Sequence, residues 1–346
     1  MLQKIIIAVL SLALAAVGGA FAFSLWAPKA VQPAAVAPGA AASRFLAPVA
    51  ASLAPLTAGP IVSKSAVVSA EKPGGTAFAY EYVPPKNASL QDTFATVRDR
   101  DLLRKLPEIQ SIDGLLTLPA PLRFLTAECK SVDAFYEPER REIVLCYETL
   151  EMLYAQGEAT AAASELGKDF PEQYVLANVR FILLHETGHA LVDLLELPIT
   201  GREEDAVDQL ATVLMQKFAS VDETPTQTAE NLRMAANWFL QRSKGQYNLD
   251  AYADEHALGE QRYFNLQCLI YGHDPVGFVS IVSDGDLPEA RAARCPAEVE
   301  RVERSWLRLL LPHIAPKFQM TEQQAQRYFE QRERERSKGA EAPYVR

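Results

Sequence analysis

The chain has 346 residues, with 34 Lys and Arg against 44 Asp and Glu, and a formal charge of −10. Its 49% hydrophobic and 23% charged content is that of a globular protein, which excludes a collagen-like, wholly disordered or polytopic membrane chain. The acidic balance lacks the basic face that phosphate binding needs, so no nucleic-acid partner is expected.

Met1 to Lys4 carries one basic side chain, and Ile5 to Trp26 is an uncharged apolar run long enough to cross a bilayer as a helix. Ala20-Phe21-Ala22 is a small-x-small cleavage pattern. Residues 1–26 therefore read as a signal peptide or as an N-terminal anchor in the inner membrane. Either reading exports the rest of the chain, to the periplasm or to a tethered position outside the cytoplasm. Residues 27–75 are rich in Ala and Pro and poor in large apolar side chains, so they are expected to form a disordered linker. A folded domain is expected over 76–315, and a charged helix or tail over 316–346.

In the folded part, Phe78 to Val83 alternates as a strand does and stops at Pro84-Pro85. Ser89 to Leu106 predicts an amphipathic helix with Ser89 as its cap. Leu118 to Thr126 and Arg141 to Glu148 predict strands, with Tyr136 to Arg140 as a turn between them. From Glu148 the pattern is mostly helical, with helices expected over Pro171–Leu197, Arg202–Ala219, Thr226–Lys244, His256–Tyr271 and Pro296–Leu311. Glu330 to Arg346 is dense in charge and expected to fray. The class is α+β, mostly helical, with a small sheet beside the helix that holds residues 185–189.

The chain has four cysteines. Sequence proximity pairs Cys129 with Cys146 and Cys268 with Cys295, as an oxidising compartment permits. A four-thiolate zinc site would need close C-x-x-C pairs, which are absent.

The chain has five histidines, and two of them stand in His185-Glu186-Thr187-Gly188-His189. Residues four apart on a helix share a face, so both imidazoles can reach one ion. Zinc accepts nitrogen ligands and, in catalytic sites, keeps a position for water. Glu186 follows the first ligand and points beside the metal, where it can take a proton from water and return it to a leaving amine. Gly188 leaves room for a close neighbour. The next helix opens Arg202-Glu203-Glu204-Asp205-Ala206-Val207-Asp208, with Glu204 and Asp208 on one face. Glu204 is the expected third ligand, with Glu203, Asp205 and Asp208 as rivals. Asp208 is expected to accept the free ring N–H of His185 and fix its tautomer.

These residues resemble the gluzincin, thermolysin-like metallopeptidases, in which an H-E-x-x-H helix is followed by a helix bearing E-x-x-x-D. Over about Phe78 to Pro312 the chain is also similar to a bacterial domain-of-unknown-function family to which metallopeptidase activity is ascribed. That likeness lies in Asp133 to Pro138, Leu145 to Glu148, the His185 motif, Gly201 to Asp205 and Glu260 to Tyr263. The resemblance implies a strand beside the metal helix on which substrate pairs, for which Arg141 to Glu148 is the candidate. It also implies a donor for transition-state charge, for which His256, Arg262 and Tyr263 are candidates. His273 and His313 read as surface histidines. The expected function is an exported peptidase with one Zn2+ per chain, acting on peptide or protein substrates. The alternative is a non-catalytic envelope module with a structural or vestigial metal site.

Overall fold

The structure is a computed structural model, and it describes residues 75–243 and 249–338. The expected leader or anchor, and all but the last residue of the expected linker, lie outside the described residues. Among the described residues, no helix is long and apolar enough to cross a membrane.

A four-stranded mixed sheet comprises β1 (Ala79–Tyr82), β2 (Arg123–Ala127), β3 (Ala134–Glu137) and β4 (Glu142–Cys146), in the order β1-β2-β4-β3. β1, β2 and β4 run parallel, while β3 is antiparallel to β4. β4 is buried throughout and paired on both sides, and β3 is an edge. The expected turn over Tyr136 to Arg140 is thus corrected, because its first two residues belong to β3. The chain turns after Pro138, with Arg141 in the left-handed region at φ 55°. A four-residue strand with half-exposed side chains leaves no apolar run to read.

Between β1 and β2, the single predicted helix over Ser89–Leu106 is broken into pieces. Asn87, rather than Ser89, is the cap, and its side chain accepts the Ser89 N–H at 3.0 Å. Helix α1 (Gln91–Asp99) ends before Asp101, whose φ of 52° stops the regular ladder. α2 (Leu102–Lys105) and α3 (Pro107–Ile112) follow, the second opened by a proline at its first turn.

After β4 the chain is helical: α4 (Tyr147–Ala163), α5 (Phe170–Leu194), α6 (Glu203–Phe218), α7 (Pro225–Arg242), α8 (Leu249–Ala253), α9 (Gly259–His273), the short α10 (Ser280–Ser283) and α11 (Glu289–Ala292), α12 (Cys295–Leu310), and α13 (Glu322–Arg336). α5 runs through the middle. It packs on α4, α6, α7 and the β3–β4 side of the sheet. This explains why its buried positions fall on every side of the helix rather than on one stripe.

Both expected disulfides are present. Cys129–Cys146 ties the segment after β2 to the end of β4, where Ala127 and Cys146 are already register partners. Cys268–Cys295 joins α9 to the start of α12.

The fraying expected over Glu330 to Arg346 is corrected as far as Arg336, where the chain is still helical, and residues 339–346 lie outside the described residues. Thr321 and Gln324 form a reciprocal cap at 2.8 and 3.2 Å, and α13 then packs on the body of the fold. Arg332 donates to the carbonyls of Lys217 and Ala219 at 3.1 and 2.6 Å, and Arg336 to those of Gln216 and Glu223 at 2.6 and 2.8 Å. The carbonyls at the end of a helix have no partner within it, so these arginines complete the end of α6.

His273 is also not a surface residue. It is largely buried between Glu303 of α12 and Glu333 of α13, at 3.1 Å from each. Burial pulls its pKa down, but the two carboxylate bonds outweigh this and the net shift is upward from 6.5. Glu303 and Glu333 are correspondingly lowered: burial, opposing the shift, is the largest influence on Glu303, while the His273 bond leads for Glu333. The stabilisation is therefore full below about 6.5, where the unfolded histidine is also charged, and it is lost as pH rises through the raised folded pKa. At the acid end it is lost as pH falls through the lowered carboxylate pKa values. His273→Gln should remove this dependence. Tm of the wild type should fall relative to the variant as pH rises from 6.5 toward 9, as checked by thermal denaturation across that range.

Candidate metal centre

α5 places His185 and Glu186 in the core, where charged and polar groups are costly unless paired, and the half-buried His189 one turn further on. His185 and His189, one turn apart, bring their Nε2 atoms to 3.2 Å. α6 lies against this face and brings Glu204 between them. Its Oε2 is 3.1 Å from His185 Nε2, and its Oε1 is 3.3 Å from His189 Nε2. Glu203 and Asp205 do not take this place.

The close approach of α6 depends on Gly188. A Cβ there would lie 2.7 Å from Val207 Cβ and 2.8 Å from its Cγ1. Gly188→Ala is expected to cost about 1–3 kcal/mol by overpacking. It should also weaken binding of a divalent metal, since Glu204 rides on the displaced helix. Denaturation and metal titration of one sample check both effects.

The other ring nitrogens are held from behind. His185 Nδ1 is 2.8 Å from Asp208 Oδ1. His189 Nδ1 is 2.7 Å from Glu203 Oε1, a role the sequence did not reveal. A third imidazole joins from the loop before α9: His256 Nε2 lies 3.0 Å from Glu204 Oε2, and its Nδ1 lies 3.1 Å from Asp254 Oδ1. The helix predicted over His256–Tyr271 begins only at Gly259, with the Gln261 side chain accepting the Leu258 N–H at 3.1 Å. That later start is what leaves His256 free to reach Glu204. Three carboxylates behind three imidazoles is a pattern that charge counting near the motif could have suggested.

Arg262 and Tyr263 are placed differently from expectation. Arg262 grips Asp208 with two bonds of 2.7 Å, and its guanidinium lies 3.7 Å over the Phe239 ring. It holds the carboxylate that holds His185. The Tyr263 hydroxyl donates to Asp286 at 3.1 Å, in a pair with Arg233 away from the cluster.

The strand beside α5 is also reassigned. Arg141 to Glu148 contains β4, which has no free edge, whereas β3 borders α5 with its outer edge unpaired in the sheet. The Tyr136 hydroxyl donates to Asp193 of α5 at 2.8 Å, and the Tyr136 backbone amide lies on the side of the Glu186 carboxylate.

The donor set fits a divalent cation. Four ligands about 2.0–2.1 Å from a tetrahedral ion stand about 3.3–3.4 Å apart, close to the separations given above. Glu204 Oε2 is buried and accepts no hydrogen bond, although two ring nitrogens face it. Lone pairs facing a carboxylate require a positive charge among them. With protons alone in that role, burial would lower the His185 pKa, but Asp208 and a Glu204 then accepting from a protonated Nε2 would outweigh it and lift the group to about 9. Burial would raise Glu204, yet the three histidines hold it far below the carboxylate range. Glu186, buried beside the cluster, is pushed upward by desolvation against the pull of His185 and His189. Such an arrangement can hold one metal ion with a carboxylate base at its side.

No curated protein and no solved structure matches the chain. Residues 82–310, which include every side chain of this cluster, match the DUF4344 family, described as a putative metallopeptidase, and the chain belongs to that family.

Proposed function

We propose that the protein is an exported zinc-dependent peptidase, with zinc held by His185, His189 and Glu204 and with Glu186 as general base. The observation that carries this reading is the meeting of two α5 imidazoles and a half-buried α6 carboxylate at 3.1–3.3 Å, with a second carboxylate, Glu186, buried alongside. Zinc, when bound there, would acidify water and polarise the scissile carbonyl.

The chain's own residues do the rest. Asp208 and Glu203 hold the Nδ1 protons of the two imidazoles, so that their Nε2 lone pairs face inward. Arg262 keeps Asp208 in place. Glu186 takes a proton from the attacking water and passes it to the leaving amine. Of the three candidates for the transition-state donor, His256 is the one whose ring reaches the cluster, at 3.0 Å from Glu204 Oε2. The outer edge of β3, with Tyr136 against Glu186, receives the peptide as an added strand. Export is supported by the uncharged run from Ile5 to Trp26 together with two disulfides.

The test is elemental analysis of the purified protein together with hydrolysis of an unfolded protein substrate. One zinc per chain is expected, lost in Glu204→Ala, with hydrolysis abolished by a chelator and restored by zinc. A wild type that binds no zinc, or cleaves unaffected by chelation, overturns the proposal.

A further inference from the structure

We propose that His256 is a fourth, detachable protein ligand of the metal, so that the resting site is closed and opens when the loop before α9 withdraws. This rests on the zinc reading above and adds to it a latch.

The ligand atoms of His185, Glu204 and His256 all lie within 4.8 Å of one another. His256 Nε2 stands as close to Glu204 as His185 Nε2 does, at 3.0 against 3.1 Å. The His256 ring also stacks on His185, with centroids 6.4 Å apart and planes 17° from parallel. It has the place of a cluster member.

Asp254 Oδ1 accepts both the His256 backbone N–H at 2.8 Å and the Nδ1 side of its ring at 3.1 Å. With the proton held at Nδ1, a neutral ring presents its lone pair at Nε2, toward Glu204. A carboxylate behind Nδ1 is what orients a metal-binding histidine. Asp208 does this for His185 and Glu203 for His189.

The four side chains are mounted differently. His185 and His189 belong to a 25-residue helix packed into the core, and Glu204 to the first turn of a helix against it. His256 stands in the connection between α8 and α9, and its side chain is 43% exposed. Its carbonyl receives a 3.5 Å contact from Arg202. This loop lies outside the two helices that carry the other three ligands, so it can carry its ligand off without displacing them. Withdrawal of the ring frees the space beside Glu186 and Glu204 for water and peptide.

X-ray absorption at the zinc edge counts imidazoles directly and needs no catalysis. The full-length wild type should fit three imidazoles and one carboxylate, and His256→Ala two imidazoles. Zinc affinity, measured by competition with a chromophoric chelator, should fall on the order of tenfold or more in the variant. Small anions should bind more readily to the cobalt-substituted variant, seen as a change in its visible absorption. Two imidazoles in the wild type, or equal zinc affinity of the two proteins, overturns the latch and leaves the zinc peptidase standing. The wild-type count alone decides the matter if the variant fails to fold. A wild type without zinc overturns both.

Discussion

Glu186→Gln is expected to keep the metal and lose hydrolysis, with kcat lower by on the order of 10²–10⁴-fold. Gln has nearly the shape of Glu and can still make a hydrogen bond, so the packing of α5 against β3 should survive. What it lacks is a basic oxygen that can accept a proton from water and release it to an amine. Glu186 follows His185 directly on the helix, so its carboxylate projects beside the cluster and is not one of its closely spaced donors. Zinc content and zinc affinity should therefore match the wild type. Stability should hold or rise, because desolvation already disfavours the charged form of Glu186. Elemental analysis, thermal denaturation and initial rates on the same preparation separate these effects. A variant that cleaves at the wild-type rate would sink the assignment of Glu186 as base, whatever its zinc content.

The parts of the molecule legible in the sequence are those set by local spacing. His185 and His189 meet because four residues make one helical turn, and Glu204 and Asp208 reach the same place because they repeat that spacing on the following helix. Both disulfides join cysteines near in sequence. Non-local events were not legible. Arg262 reaches Asp208 across 54 residues, and nothing near either one announces the other. β3 carries too few residues for alternation to show, so the pattern beside Glu186 reads as a turn and points to β4 for the strand role. His273 looked like a surface residue because Glu303 and Glu333, 30 and 60 positions away, supply its partners. The C-terminal helix looked like a solvated charge run because its arginines find backbone carbonyls, and carbonyls leave no mark in composition. A buried charge is visible in sequence only when its partner is local.

That rule predicts where removing one side chain should do the most structural damage. Arg180 and Glu108 are both buried, at 3% and 0% exposure, and 72 residues apart. The guanidinium contacts both Glu108 oxygens, and its Nη2 lies 3.0 Å from Glu223 Oε2. Glu223 Oε1 also accepts from Thr228 at 2.8 Å and from Asn231 at 3.1 Å. Burial works against the charge on Arg180, yet the two carboxylates overcome it and hold the group still more firmly protonated. Glu108→Ala leaves that cation in the core with half its compensation gone, and should cost about 3–5 kcal/mol. Replacing both partners by apolar residues, Glu108→Leu with Arg180→Met, leaves no charge stranded and should recover most of the loss. Urea denaturation of the metal-free proteins measures both, without the added stability that bound metal would lend the native state. Arg180 lies five residues before His185 on α5, and its bonds to α3 and the α6–α7 connection leave Asp208, Glu203 and Glu204 untouched. The single variant should therefore unfold at lower urea while its folded fraction binds zinc as the wild type does. A Glu108→Ala protein as stable as the wild type would show that water or Glu223 alone satisfies Arg180, and that the buried pair is not what fixes α3 against α5.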